Sequence, residues 1–483
     1  MNNILEYSLN NDSVEDNEDD DDEASESVEV SPMGAKPKVS IRSVSVDILI
    51  ILFGVSSWVA VNGLWVELPV LVNALPEAWK LSAYIVITTQ IANLGPILFS
   101  AARRKWSQKV LEVPMIHVSL VIVITACVLL SIFWESTTYL AGEMHSTALL
   151  TLTFFLAFVD CTSSLLYLPF IANFREQYIA SYMVGAGLSG PIPGVIALAQ
   201  GVGGYAECRN ISVINVREHS KVVEYVVEAY YPPPRFSANV FFLILCGQMG
   251  VSWIAFVLLN KLPVAKREMV PTIPFSSSKH PALDESLHNS MEFSSSLEKT
   301  TSLEKNLLGK PRFSKSQYII LLLLQGLVCA LHNGILLSIQ TYSCLPYGSL
   351  AFHLTVTLSS FANPLCCFVA MFLPISSVAA ISGLTVYVFI WGAYIMTIAL
   401  LSPTPPFVDS ALGGSLVVLA WVMVSGIVAY IKTCIASVLR REGGQPALYR
   451  CGILTQVGTA VGAIITFSLV QYTTVFHSYS PCT

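Results

Sequence analysis

The chain has 483 residues, 54% of them hydrophobic and only 12% charged, with a formal net charge of −6. Soluble globular chains carry about 25% charged residues, and a mean hydropathy of +0.63 is too apolar for a water-facing surface. A cytosolic enzyme, a secreted disulfide scaffold and a disordered regulator are excluded, which leaves a polytopic membrane protein. The acids gather in the N-terminal tail, at Glu15, Asp16 and from Glu18 to Glu23. The remainder is near neutral and lacks the basic patches that nucleic acid requires.

In chain order, residues 1–43 read as an acidic, Ser-rich, disordered tail with no signal-peptide core. A bilayer core about 30 Å thick needs roughly 20 apolar residues per helix. Eleven such runs follow, at about 45–68, 81–101, 114–134, 147–171, 179–201, 237–259, 317–340, 350–373, 375–401, 411–435 and 447–470. The fold class is therefore all-α, with six spans in 44–259, a polar linker at 260–316 and five spans in 317–471. A 6+5 division about a long loop suggests two helical bundles in a major-facilitator-like arrangement. Residues 472–483 form a C-terminal tail.

Positive charge sets the orientation. With the N-terminus in the cytoplasm, all of the 26 Lys and Arg face inward except Lys80, Arg209, Arg217, Lys221 and Arg235. That bias predicts a cytoplasmic N-terminus and an extracellular C-terminus. The sequon Asn210-Ile211-Ser212 then falls in the outer loop 202–236, where Asn210 is a glycosylation candidate. Cys344, in a short outer connection, and Cys482, in the outer tail, are candidates for a disulfide that ties down the C-terminus.

Polar side chains inside the bilayer are costly and mark candidate sites. Span 1 carries Trp58, Asn62 and Trp65, spaced i, i+4, i+7 and so on one face. Glu67 lies near its outer end. Span 2 carries Gln90 and Asn93, and span 4 carries Asp160, the acid nearest mid-membrane. Span 5 contains Gly185, Gly187, Gly190, Pro191, Pro193 and Gly194, a composition that predicts a kinked or unwound helix. Span 7 carries His332, Asn333, Gln340 and Tyr342, and span 8 carries Asn363 before Pro364, a second candidate flexing point. Each amide has a plainer reading as helix-to-helix glue. Taken together, aromatic and amide groups with almost no fixed charge suit a flat, polar, uncharged solute. No P-loop, catalytic pair or metal-ligand cluster accompanies them, so no enzyme, cofactor or metal is expected.

Several of these stretches make longer motifs. They include Trp58 to Pro69, Leu75 to Trp79, Asn93 to Pro96, Asp160 to Ser164, Gly187 to Gly190, Gln340 to Gly348, Ala362 to Pro364 and Ala429 to Lys432. In order and over nearly all the spans, they resemble the animal riboflavin transporters. The resemblance implies a plasma-membrane carrier for cellular uptake of riboflavin, independent of sodium, favoured by acidic outside pH in some members, with a fold like the equilibrative nucleoside carriers. It makes Trp58, Asn62 and Trp65 one wall of a flavin site, adds Asn333 from span 7, and places Glu67 and Glu77 near the outer mouth as proton-coupling candidates. Where this chain has His332, the family pattern has Thr, a departure bearing on pH response or selectivity. The residues alone also admit a carrier of another flat heterocycle such as a nucleoside, or a ligand-sensing membrane receptor.

Overall fold

The computed structural model describes residues 43–478 apart from 106–111, 141, 176, 203–206, 218–219, 231, 270–313 and 409. The tail 1–42, most of the linker, and Cys482 lie outside the described residues.

Lipid offers no partner to backbone N–H and C=O groups, so long apolar runs satisfy them internally as helices. Before the linker these are α1 (Val44–Val55), α2 (Val59–Leu71), α3 (Leu81–Ala92), α4 (Leu94–Lys105), α5 (Glu112–Phe133), α6 (Thr147–Ala172), α7 (Gln177–Leu188), α8 (Pro191–Gln200), α9 (Ala238–Lys261) and the short α10 (Pro263–Glu268). After it come α11 (Lys315–Cys329), which runs into a π-helical segment at Ala330–Leu336, then α12 (Gln340–Cys344), α13 (Ser349–Phe372), α14 (Val378–Leu400) and α15 (Ala411–Tyr472). Among the described residues, by length and composition ten helices can cross a bilayer, or eleven when α1 and α2 count as one bent span; α15 supplies two, Ala411–Glu442 and Ala447–Tyr472. Apolar side chains such as Val118 and Ile390 are 53% and 63% exposed, as lipid-facing positions require.

Three spans depart from straight helices. The first bends by 53° between α1 and α2. The fifth breaks between α7 and α8, as its Gly and Pro content predicts, with Pro191 opening α8. The seventh widens into the π-helical segment that carries His332 and Asn333. By contrast, Pro364 sits inside an unbroken α13, so the flexing point expected there is not a break in this structure. Phe53 at the end of α1 packs against Tyr167, Phe170 and Phe256 at ring-centroid distances of 4.5, 5.7 and 5.1 Å. A Cβ on Gly185 would lie 2.2 Å from the Ile51 carbonyl oxygen, so α7 reaches α1 this closely only because both contact positions, Gly54 and Gly185, lack a side chain.

Two β-hairpins interrupt the expected all-helical chain. Thr138–Leu140 (β1) pairs antiparallel with Glu143–His145 (β2), and Glu207–Arg217 (β3) with Ser220–Tyr230 (β4), in register from Glu207 opposite Tyr230 to Arg217 opposite Ser220. The second lies in the stretch read from sequence as the outer loop 202–236. Its register sets Ile211 opposite Val226 and Ile214 opposite Val223, β-branched residues suited to a pleated ribbon, in runs too short and too polar to span. Both hairpins lie at the same end of the helices, called the hairpin end below; the linker marks the other. Asn210 falls within β3.

The expected Cys344–Cys482 bridge is corrected. Cys344 is a free thiol, fully buried in α12 beside Ser343. Cys208, in β3, is disulfide-bonded.

Candidate functional site

The bend in the first span positions the face predicted to bind solute. Ser57 and Trp58 lie in the break, and α2 begins where the Asn62 N–H bonds the Trp58 carbonyl at 3.0 Å. Asn62 and Trp65 are half-buried, while Trp58 is 37% exposed. The Asn62 amide donates to Ser189 Oγ at 3.3 Å, and Ser189 Oγ donates to the Ala186 carbonyl at 2.7 Å. Ser189 occupies the break between α7 and α8. The two broken spans therefore meet at one amide–hydroxyl pair, the arrangement by which unwound helices offer polar groups at membrane depth.

The facing surface comes from α13. A Cβ on Gly190 would lie 3.0 Å from the Ser360 carbonyl oxygen and 3.8 Å from Asn62 Nδ2. Gly187 faces Pro364, which brings the neighbouring, half-buried Asn363 to the same junction. The other predicted polar residues form separate groups. Asn93 donates its amide to Gln90 Oε1 at 3.2 Å across the joint of α3 and α4. His332 Nδ1 and Asn333 Oδ1 are 2.7 Å apart in the π-helical segment. Gln340 and Tyr342 are buried in α12, where Tyr342 packs edge-on against Trp79 at 5.7 Å.

That last contact belongs to a seam between the helices before the linker and those after it. Ser82 Oγ donates to the Ser338 carbonyl at 2.9 Å and lies 3.1 Å from Thr341 Oγ1. The Thr341 hydroxyl donates to the Trp79 carbonyl. The Tyr84 hydroxyl donates to Gln471 Oε1 at 3.2 Å, with its ring edge-on to Phe467. These groups, with the α8–α13 approach at Gly190 and Gly194, join the helices before the linker to those after it. Sequence reading singled out none of Ser82, Ser189 and Thr341 as site residues, although the last two lie within the motif stretches Gly187 to Gly190 and Gln340 to Gly348.

The three acids have structural partners. Glu67 is fully buried; its Oε1 accepts from Gln200 Nε2 at 2.9 Å, and the same amide donates to the Phe236 carbonyl at 3.1 Å. Glu77 accepts from the Ser146 N–H at 2.7 Å and from Ser146 Oγ at 2.5 Å, with His145 Nδ1 3.4 Å away. It thus caps α6 from another loop, placing negative charge at a helix N-terminus. Asp160 is fully buried and accepts from the Val61 N–H at 3.1 Å, so it bears on the first span's backbone. Among the described residues no three His, Cys, Asp or Glu come together as a metal would require.

With this geometry in hand, similarity to known proteins is informative. The family described as solute carrier family 52, riboflavin transporter, matches residues 42–478. Solute carrier family 52, riboflavin transporter, member 3-A of Danio rerio is 39% identical, aligned over 89% of this chain and 96% of its own. Riboflavin transporter 2 of Salmo salar is 40% identical over 90% and 97%, and member 2 of Homo sapiens 37% identical over 91% and 97%. Among solved structures, a peptide transporter POT in complex with sulfate aligns at a TM-score of 0.53, with 10% identity over 90% of each chain. A bacterial homolog of the lysosomal transporter Spinster, inward-facing and unoccupied, aligns at 0.51 with 14% identity over 90% of this chain and 83% of its own. At such identities these two speak to the fold, which is major-facilitator-like.

Proposed function

The chain belongs to the riboflavin transporters of solute carrier family 52, and we propose that it carries riboflavin across the plasma membrane into the cell. The observation that carries this reading is identity of 37% to 40% to proteins named as riboflavin transporters, spread over about nine-tenths of both chains. The geometry supports it. Asn62 stands where two broken spans meet, with Gly190 and Ser360 beside it, and Trp65 follows it by three residues in α2. An isoalloxazine ring is flat and polarisable and stacks on an indole. Its carbonyls and imide N–H match carboxamides, which donate and accept at once. Gln90, Asn93, His332, Asn333, Gln340 and Tyr342 are the further groups proposed to meet the solute as it moves.

We take the hairpin end as extracellular, with the N-terminus inside, the C-terminus outside and Asn210 glycosylated. On that assignment we read the contacts of Ser82, Ser338, Thr341, Trp79 and Tyr342 as closing the outer side. Transport requires that seam to part and re-form about the site, and it needs no covalent chemistry. Uptake is proposed to be independent of sodium and to rise as outside pH falls from about 7.5 to about 5.5, a window that contains the ordinary imidazole value; Glu67 and Glu77 remain the coupling candidates. The test is uptake of labelled riboflavin by cells expressing the chain, with and without sodium, against unlabelled flavins and nucleosides. Saturable accumulation blocked by flavins and not by nucleosides is expected. Binding that stops at one equivalent per protein, with no accumulation inside, would overturn it.

A further inference from the structure

Three side chains on one face of α6 reach the two halves of the broken first span. Asp160, Ser163 and Tyr167 are spaced i, i+3, i+7, the period of a single helical face. Tyr167 packs its ring against Phe53, in the last turn of α1, at 4.5 Å. Ser163 Oγ donates to the Ser57 carbonyl, inside the break, at 3.1 Å, and to the Asp160 carbonyl of its own helix at 2.7 Å. Asp160 Oδ2 accepts from the Val61 N–H at 3.1 Å. Val61 is the third residue of α2, so its amide has no acceptor one turn back within the helix. Trp58, at the N-cap position, makes no side-chain cap bond. The carboxylate of a distant helix fills that role. All three side chains are completely buried.

We propose that Asp160 is a positioning residue: with Ser163 and Tyr167 it splints the break in the first span and thereby sets where Asn62 and Trp65 stand. It acts through the backbone of α2 and not by touching the solute. The 53° bend aims the start of α2, and Asn62 follows Val61 directly. Releasing the Val61 N–H lets the first turn of α2 fray, so the amide and indole lose their fixed spacing to Ser189 and Gly190. The consequence for riboflavin rests on the proposed function; the splint itself does not.

The test compares Asp160→Ala, which removes the acceptor, with Asp160→Asn, which keeps a side-chain oxygen at the same reach, and with Ser163→Ala. Hydrogen exchange of segment 56–65 in the purified full chain is read beside riboflavin uptake normalised to surface level. Asp160→Ala is expected to speed exchange in that segment and to raise KM on the order of tenfold, the scale of a lost N-cap, with maximal rate falling less. Asp160→Asn should restore slow exchange and most of the affinity. Ser163→Ala should loosen 56–58 alone. The splint is overturned if Asp160→Asn exchanges as fast as Asp160→Ala, since the carboxylate would then act otherwise than as an acceptor. It is equally overturned if segment 56–65 exchanges at the native rate in Asp160→Ala. Should the unmodified chain take up no riboflavin, the proposed function fails while exchange still decides the splint.

Discussion

The approach of α8 to α13 gives a direct handle on closure. Replacing Gly190 by Ala adds a Cβ that would sit 3.0 Å from the Ser360 carbonyl oxygen, where ordinary contact begins near 3.4 Å. The obstacle is backbone, so it cannot rotate away, and the two helices must separate by a few tenths of an ångström. Overpacking of this kind costs about 1–3 kcal/mol. The backbone of Gly190 has φ −86°, which Ala accepts, so the penalty is steric and falls on the state closed at the hairpin end. At about 1.4 kcal/mol per factor of ten, that state loses roughly 5- to 150-fold in relative population. Initial uptake rates, normalised to surface protein, should therefore show a reduced maximal rate with a smaller change in KM. A Ser82→Cys reporter, fully buried in the closed seam, should label faster with a membrane-impermeant thiol reagent on intact cells when Gly190→Ala is present. Native turnover together with a native labelling rate would refute the argument that this contact must form in each cycle.

The site itself makes a second expectation. Asn62→Ala, which abolishes the bond to Ser189, and Trp65→Ala should each raise the KM for riboflavin by roughly 5- to 150-fold, the cost of one good hydrogen bond or one stacked ring; competition curves at equal surface expression measure it. A tag at the N-terminus should be reached by antibody only after permeabilisation and one at the C-terminus on intact cells, while Asn210→Gln should abolish any glycan shift on gels. Glu77→Ala strips the cap from Ser146 and should destabilise the protein by about 1–3 kcal/mol, seen as a lower melting temperature of the purified protein. Glu77→Gln, keeping one acceptor oxygen, should lose less.

How much could be read in advance differs by level. Span number and the breakage of span 5 were legible, because each is written in local composition: about 20 apolar residues are needed to cross lipid, and Gly and Pro fail helices wherever they cluster. The i, i+4, i+7 face of Trp58, Asn62 and Trp65 was legible for the same reason, since helical period is a property of one segment. Yet Trp58 fell in the break and lies more open than Asn62 and Trp65, because the bend interrupts the very period that grouped them.

What only the tertiary structure decided is which partner each polar group takes. Asp160 could be read as an intramembrane acid, but not as the cap of a helix that begins 101 residues earlier in the chain, at Val59. Glu77 could be read as an acid near a membrane boundary, but its acceptance from Ser146 depends on how two loops meet. The partners of Ser82, Ser189 and Thr341 exist only where helices touch. Cys344 was expected to pair and is instead buried as a free thiol. The physical reason is common to all of these. Solvation by lipid acts on each segment separately and so can be read from the residues one stretch at a time. Satisfaction of a buried polar atom is a relation between two segments, and it exists only after they have packed.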